Sequence, residues 1–252
     1  MDLSNKEIKS FNDPRIKELP QDTEILDMCN NQISSFKGCE NLPKGLKELN
    51  LWCNQISSFE HSEGLPRTLE MISLGDNQIE SFEGCENLPK TIKELDLGGN
   101  QIESFEGCEK LPKTKELYLG GNQIESFEGC EKLPKTLEKI SLGDNQISSF
   151  KGCENLPKIL KLYLYGNQIR SFDHSENLPR NIKELDIGCN QIRSFKGCEN
   201  LPKTLEMISL WSNQISSFKG CENLPRSLEK LVIWGNQIRS KHSKLPKTVK
   251  II

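Results

Sequence analysis

The segment Ile92–Thr114, IKELDLGGNQIESFEGCEKLPKT, is a unit of 23 residues that recurs along the chain and decides the fold. Its Asn-Gln-Ile triplet occurs ten times, at intervals of 22 or 23 residues. The asparagines of these triplets are Asn31, Asn54, Asn77, Asn100, Asn122, Asn145, Asn167, Asn190, Asn213 and Asn236. A fixed period of this length indicates a solenoid, in which stacked turns share one core. We number the unit from Ile92 at position 1, which puts Asn100 at position 9.

Apolar or small residues occupy positions 1, 4, 6, 11, 14, 17 and 20 of this unit. Leu95 and Leu97, at positions 4 and 6, alternate with polar neighbours, which is the period of a β-strand. After Asn100 the apolar spacing widens to about three residues, and the chain returns through Leu111 and Pro112. Each turn is therefore predicted to hold one short strand followed by 3-10 or extended structure, with little or no α-helix.

The pattern Leu-x-x-Leu-x-Leu-x-x-Asn-x-Ile resembles that of the leucine-rich-repeat family, and the resemblance covers residues 19–252. It implies an α/β-type solenoid, a right-handed curved superhelix. A parallel sheet of about 11 short strands would line its concave face, and 3-10 or extended segments its convex face. We expect a single solenoid domain over residues 19–252, with about ten repeats and a final terminal strand. Residues 1–18 are predicted to form a degenerate half-repeat cap, with Leu3, Ile8 and Phe11 at core-like spacing.

Composition and charge favour a protein of the cytoplasm. The net charge of −3 argues against a nucleic-acid partner or an anionic membrane. The first residues lack the apolar stretch of a secretory signal, and no apolar run approaches the roughly 20 residues of a membrane span. Residues 81–97, SFEGCENLPKTIKELDL, also resemble tandem repeats of large DNA viruses that infect amoebae. For a viral protein, the predicted location is the cytoplasm of the host cell.

The most repeated residues have structural interpretations. The asparagine of position 9 can bond backbone groups that are freed where the strand turns, with ligand binding as the alternative. Nine phenylalanines at position 14, from Phe36 to Phe218, are predicted to stack in the core rather than form a binding surface. Glycine at position 16 is expected to take a positive φ. Histidine replaces it at His61 and His174, and His242 begins a third variant.

Ten cysteines could suggest a metal site or disulfides, but their spacing favours packing. Seven of them stand at position 17, where a free cysteine acts as a small buried hydrophobe: Cys39, Cys85, Cys108, Cys130, Cys153, Cys198 and Cys221. The sequence has no Cys-x-x-Cys pair of the kind that zinc sites favour. Nucleophile-elbow and phosphate-loop motifs are also missing from the sequence. We therefore expect no enzyme activity, no metal and no cofactor.

Aromatic residues mark the predicted binding face. All three tryptophans and all three tyrosines fall at positions 5 or 7, which point outward from the strands. Position 5 also varies from turn to turn, whereas Gln at position 10 and Ser at position 13 scarcely change. Because aromatic side chains are favoured at interfaces, we predict a concave partner-binding site. Its residues are Trp52, Tyr118, Tyr163, Tyr165, Asp186, Trp211 and Trp234. The alternative is that these rings only stack to strengthen parallel strands.

Two functions from different classes follow. The first is a non-catalytic protein–protein interaction module that binds an unknown protein partner on its concave face. The second is a structural or self-associating protein, a homodimer through the C-terminal strand edge at residues 249–252. An unpaired strand edge is a template for pairing with another chain.

Overall fold

The computed structural model describes residues 1–239, 245 and 249–252. Eleven short strands lie in this part of the chain, in agreement with the predicted number. They are β1 (Ile25–Asp27), β2 (Glu48–Asn50), β3 (Met71–Ser73), β4 (Glu94–Asp96), β5 (Glu116–Tyr118), β6 (Lys139–Ser141), β7 (Lys161–Tyr163), β8 (Glu184–Asp186), β9 (Met207–Ser209), β10 (Lys230–Val232) and β11 (Lys250–Ile251). The prediction of one short strand per repeat is confirmed.

Single turns of 3-10 helix follow the strands, as the widened apolar spacing predicts. They are Cys39–Asn41, Ser62–Gly64, Cys85–Asn87, Cys108–Lys110, Cys130–Lys132, Cys153–Asn155, Ser175–Asn177, Cys198–Asn200 and Cys221–Asn223. The helix α1 spans Pro14–Lys17, with Asp13 as its N-cap. No helix in the described part of the chain has the length and apolarity that a membrane span requires.

The chain divides into two compact units. The first holds Met1–Asn122 with Lys132–Leu137, and the second holds Gln123–Glu131 with Glu138–Ile252. In the first unit, β1 to β5 pair in chain order as a parallel sheet. In the second unit, β6 to β11 do the same. The rest of each turn supplies the crossover that parallel strands need, so a leucine-rich-repeat coil is confirmed in both units.

The core of each unit is built from equivalent residues of successive turns. The middle residue of each three-residue strand is buried, because alternate side chains of a strand point to opposite faces. The phenylalanines of position 14 are fully buried from Phe36 to Phe195, whereas Phe218 is half-buried. The next turn has Lys241 at that position, so the row of phenylalanines ends at Phe218.

The asparagine of position 9 has the predicted structural role. The Oδ1 atom of Asn77 accepts the backbone N–H of Ile56, one turn earlier, at 2.9 Å. Its Nδ2 atom donates to the carbonyl of Leu74 in its own turn and to that of Leu51 in the preceding turn, both at 3.0 Å. One buried side chain thus satisfies backbone groups of two neighbouring turns.

Residues 1–18 pack against the first repeat. Asp2 forms a parallel bridge with Asp27, and Ile8 and Phe11 are fully buried. The ring of Phe11 stacks on that of Phe36, with centroids 6.3 Å apart. Leu3, which follows the bridge residue Asp2, is only half-buried. The role of residues 1–18 as a separate cap stays a prediction.

Two details of the turns concern residues that depart from the common pattern. His61 and His174 take positive φ values of 65°, as the glycines of position 16 do, and His242 lies outside the described residues. In the two repeats of 22 residues, the N–H of Thr114 or Ile159 donates to a proline carbonyl two residues earlier, at 2.7 Å. The proline loop therefore absorbs the missing residue, and the strand register is kept.

Candidate binding face

Three outward positions of each turn form a surface that we call the strand face. It consists of the first and third residues of each strand and the residue two places after the strand, which are positions 3, 5 and 7 of the repeat. All six tryptophans and tyrosines lie on it, and each is exposed or half-buried. Trp52 and Tyr118 belong to the first unit, whereas the other four belong to the second.

Trp211 and Trp234 form a stacked pair in the second unit. Their ring centroids are 5.0 Å apart and their planes differ by 24°. Trp211 is half-buried, and Trp234 exposes 56% of its surface. On its other side, Trp211 lies against Gly188, where a methyl group would come within 2.0 Å of the indole Nε1. Gly188, Trp211 and Trp234 thus form a row across three successive turns.

Other aromatic rings of position 7 also lie over a glycine of a neighbouring turn. A methyl group on Gly143 would meet Tyr165 at 2.3 Å, and one on Gly75 would meet Trp52 at 2.6 Å. Apart from Cys29 in the first turn, position 7 holds only glycine, tryptophan and tyrosine. Its aromatic residues are Trp52, Tyr165, Trp211 and Trp234, and its glycines are Gly75, Gly98, Gly120, Gly143 and Gly188. This pairing was missed from the sequence, although the restricted composition of position 7 was a signal for it.

Tyr163 is held in a polar network on β7 and β8. Its hydroxyl donates to Oε1 of Glu184 at 2.9 Å, and Lys161 Nζ lies 3.1 Å from the other oxygen of that carboxylate. Lys139 Nζ lies 5.7 Å from the centre of the Tyr163 ring, within range of a cation–π contact. Burial, and then the bond to Glu184, raise the pKa of Tyr163 to about 12. The hydroxyl is therefore a hydrogen-bond donor at neutral pH.

Asp186 stands opposite Tyr163 in the register of β7 and β8, but its carboxylate turns back to its own chain. Its Oδ1 atom accepts the backbone N–H of Gly188 at 2.9 Å. Asp27, Asn50 and Asp96 make the same contact two residues on, as Asx turns do. A structural role at position 5 was missed from the sequence, although an Asp or Asn at a strand end is a signal for it.

Tyr118 and Tyr165 are the remaining tyrosines of the predicted site. The hydroxyl of Tyr118 donates to Glu116 Oε2 at 2.6 Å within β5. Burial raises the pKa of the half-buried Tyr165, and the carboxylates of Asp144 and Asp186 act in the same direction. Tyr165 therefore lies near Asp186, in the same region of the second unit as the tryptophan pair.

A groove on the strand face of the first unit was also missed. It has a volume of about 380 Å³, and its walls include Ile25, Trp52 and Met71. Ile25 exposes 54% of its surface and Trp52 exposes 41%. Among the described residues that line the groove, only Trp52 is aromatic. The available signal was an apolar residue at position 3 in two turns of the first unit, whose other turns have Glu there.

The cysteines behave as packing residues. All seven at position 17 are fully buried, and none of the ten cysteines forms a disulfide. The thiol of Cys39 donates to the carbonyl of His61 in the next turn at 3.3 Å. Burial raises the pKa of Cys39, Cys85 and Cys198 from 9.0 to about 12. Among the residues that the structure describes, no group of His, Cys, Asp and Glu could hold a metal ion.

Comparisons of the sequence with known families support leucine-rich repeats. A model described as "Leucine Rich repeats (2 copies)" matches residues 135–177, and a model described as "Leucine Rich repeat" matches residues 89–111. No curated protein matches the chain. The resemblance to repeats of large DNA viruses therefore stays a prediction.

Solved structures show the same fold. An internalin, inlF, from Listeria monocytogenes has 20% identity and a TM-score of 0.62, over 92% of this chain and 80% of that chain. Internalin C2 from the same organism has 28% identity and a TM-score of 0.59, over 74% of this chain and 80% of that chain. A chain of the octameric complex of Latrophilin 3, Unc5D and FLRT2 (LRR) has 18% identity and a TM-score of 0.68, over 99% of this chain and 88% of that chain. The leucine-rich-repeat solenoid is thereby shown.

Proposed function

We propose, on the premise of a leucine-rich-repeat solenoid, that this chain is a non-catalytic module that binds a protein partner on its strand face. The observation that carries the proposal is the stacked pair of Trp211 and Trp234, whose outer ring is more than half exposed. Tryptophans dominate the binding energy of many interfaces, because one side chain covers a large apolar area and still offers an N–H donor. The strand face is the surface that the sequence predicts to be concave.

The surroundings of the pair make it suited to binding. Trp211 is fixed between Gly188 and Trp234, so its ring is already ordered before a partner arrives. An ordered side chain loses little conformational entropy on binding. Tyr163, held by Glu184, adds a second ordered aromatic ring to the same unit.

The comparisons support this class of function. One similar structure is an octameric complex that contains FLRT2 (LRR) together with Latrophilin 3 and Unc5D. A fold of this kind therefore serves in an assembly of several proteins. At 18% identity the similarity concerns the fold alone, and it says nothing about which partner this chain would bind. We further propose that the chain acts in the cytoplasm.

The test is affinity capture with the purified chain, followed by calorimetry with each captured protein in purified form. We expect Trp234→Ala to weaken the binding by about thirtyfold or more, because truncation of a hot-spot residue costs about 2 kcal/mol or more. Arg180→Ala is the control, because Arg180 is exposed and lies outside the strand face. Circular dichroism should show both variants folded. Undiminished affinity of Trp234→Ala would contradict this binding face.

Self-association through β11 is the second candidate. Its supporting observation is that β11 pairs with β10, while Ile251 and Ile252 expose 38% and 60% of their surfaces. Light scattering of the full chain should then give a dimer, and Ile252→Lys should shift it to a monomer. A full chain that is monomeric at high concentration would remove this candidate.

A further inference from the structure

The groove of the first unit has apolar walls that the core does not explain. Ile25 and Met71 are the first residues of β1 and β3, and Trp52 follows β2. The equivalent first residues of β2, β4 and β5 are all glutamates: Glu48, Glu94 and Glu116. The fold therefore tolerates a charged residue at this position. A volume of about 380 Å³ is near the lower end of the range for ligand pockets, roughly 300–1,000 Å³.

The strand face of the first unit is also acidic. The first and third residues of β1 to β5 include five carboxylates and no lysine or arginine. They are Asp27, Glu48, Glu94, Asp96 and Glu116. In the second unit, the corresponding residues of β6 to β10 include three lysines and two carboxylates. Charge of one sign is therefore a property of the first unit alone.

The contacts of two of these carboxylates leave their charge in place. Asp27 accepts a backbone N–H and the amide of Asn50, and Asp96 accepts a backbone N–H and the hydroxyl of Ser73. These donors are neutral, so the two carboxylates keep their negative charge. The lysines before β2 and β4 do carry positive charge, but Lys47 is paired with Glu24 at 2.6 Å and Lys93 with Glu70 at 2.7 Å.

We propose that the strand face of the first unit binds a basic, extended peptide segment of a protein partner, with one large apolar side chain of that segment in the groove. The inference rests on the proposed function, since it names the chemistry of the partner that the strand face would take. The apolar walls account for the anchoring side chain, and the carboxylates of Glu48 on β2 and Asp96 on β4 account for lysine or arginine beside it. Complementary charge also selects against acidic segments.

The spacing between anchor and charge follows from strand geometry. Parallel strands lie about 4.8 Å apart, so Asp96 on β4 lies roughly 10 Å from β2, at the middle of the groove. An extended peptide advances about 3.3 Å per residue, so a basic residue about three places from the anchor would reach that carboxylate.

The probe is a fluorescein-labelled peptide of glycine and serine with one phenylalanine and, three and four residues away, two lysines. Fluorescence anisotropy with the full chain should show binding that weakens as salt is added. Replacing the phenylalanine by serine, or the lysines by glutamates, should abolish it. Absence of binding by the lysine peptide would overturn the inference.

Met71→Glu is the decisive variant, because it removes an apolar wall and adds a negative charge. We expect it to weaken binding of the lysine peptide about tenfold, as loss of an anchoring contact does. Binding by charge alone would instead become tighter, and that result would overturn the groove. Met207→Glu makes the same change at the equivalent position of β9, in the second unit, and should leave the affinity unchanged.

Failure of this inference can be distinguished from failure of the proposed function. Partner binding that depends on Trp234, with no binding of the lysine peptide, leaves the proposed function in place and removes the groove. Binding of the lysine peptide that depends on Met71 but not on Trp234 supports the groove as the site of the peptide and excludes the tryptophan pair as that site.

Discussion

The indole ring of Trp211 occupies the space that a side chain on Gly188 would take, with Nε1 within 2.0 Å of the position of a methyl group. The two residues hold position 7 in adjacent turns. The Trp211 ring can take this place only because Gly188 has no side chain. Glycine at position 7 is therefore part of the aromatic site, although it offers a partner little surface of its own.

Gly188→Ala should displace the Trp211 ring. The added methyl group would force a change of rotamer, and overpacking of this kind costs about 1–3 kcal/mol of the free energy of unfolding. Tryptophan fluorescence should shift as the pair with Trp234 opens, and affinity for the partner should fall. Gly98→Ala is the matched control at position 7, since the nearest atoms there are backbone and carboxylate oxygens at 3.2 Å. Equal fluorescence of both variants would contradict the contact.

The fold was predictable because each repeat has the same residue types at the same positions. A strand with alternating apolar residues, an asparagine at its turn and a glycine before the 3-10 segment recur with constant spacing. Leu95, Asn100 and Gly107 have the environments that their positions predict: a buried strand centre, a buried hydrogen-bonding turn residue and a positive φ. Local chemistry was enough for these positions.

The site was less predictable, because it depends on pairs of residues in different turns. Trp52 lies over Gly75, and Ile25 and Met71 share a groove, but each pair is separated by many residues in the chain. Asp186, which was predicted to contact a partner, also bonds the N–H of Gly188, and that contact was not foreseen. Whether an outward side chain meets a neighbour or solvent is decided by the stacking of turns, which composition alone does not reveal.

Asn77→Ala should be destabilising. The substitution leaves the buried N–H of Ile56 without its acceptor. The carbonyls of Leu51 and Leu74 stay satisfied, because each also accepts from the position-9 asparagine of a turn next to that of Asn77. One unsatisfied buried group costs about 1–3 kcal/mol, and a loss of that size is expected in urea unfolding. Gln78→Ala is the control, because the neighbouring Gln78 side chain is exposed and should contribute less than about 0.5 kcal/mol. Similar losses in the two variants would rule out the asparagine ladder.

Ser62 and Ser175 replace cysteine at position 17 and provide a matched pair. Both are fully buried, but Ser175 Oγ donates to the carbonyl of Gly197 at 3.5 Å, whereas Ser62 Oγ has no hydrogen-bond partner within the described structure. Removing an unsatisfied buried hydroxyl is neutral or stabilising, and removing a bonded one costs about 1 kcal/mol. In urea unfolding, Ser62→Ala should therefore keep or raise the free energy of unfolding, whereas Ser175→Ala should lower it by about 1 kcal/mol. A larger loss for Ser62→Ala would show that its hydroxyl is bonded.

The buried thiols should make stability fall at alkaline pH. Burial raises the pKa of Cys39, Cys85 and Cys198 to about 12, against an ordinary value of 9.0. A raised pKa means that the folded chain keeps protons that the unfolded chain releases. The contribution of each thiol is therefore complete below about pH 9 and is lost as the pH rises from 9 towards 12.

At pH 10 each such thiol should have lost about 1.4 kcal/mol of stabilisation relative to pH 8, as measured by urea unfolding in the presence of a reductant. Lysines and tyrosines also titrate in this range, so the comparison needs a variant that removes one thiol. Cys85→Ser is suitable, because serine already occupies this position at Ser175. The variant should lose about 1.4 kcal/mol less than the parent between the two pH values. Equal losses would mean that Cys85 ionises as readily in the folded chain as in the unfolded one. That result would contradict a pKa raised by burial.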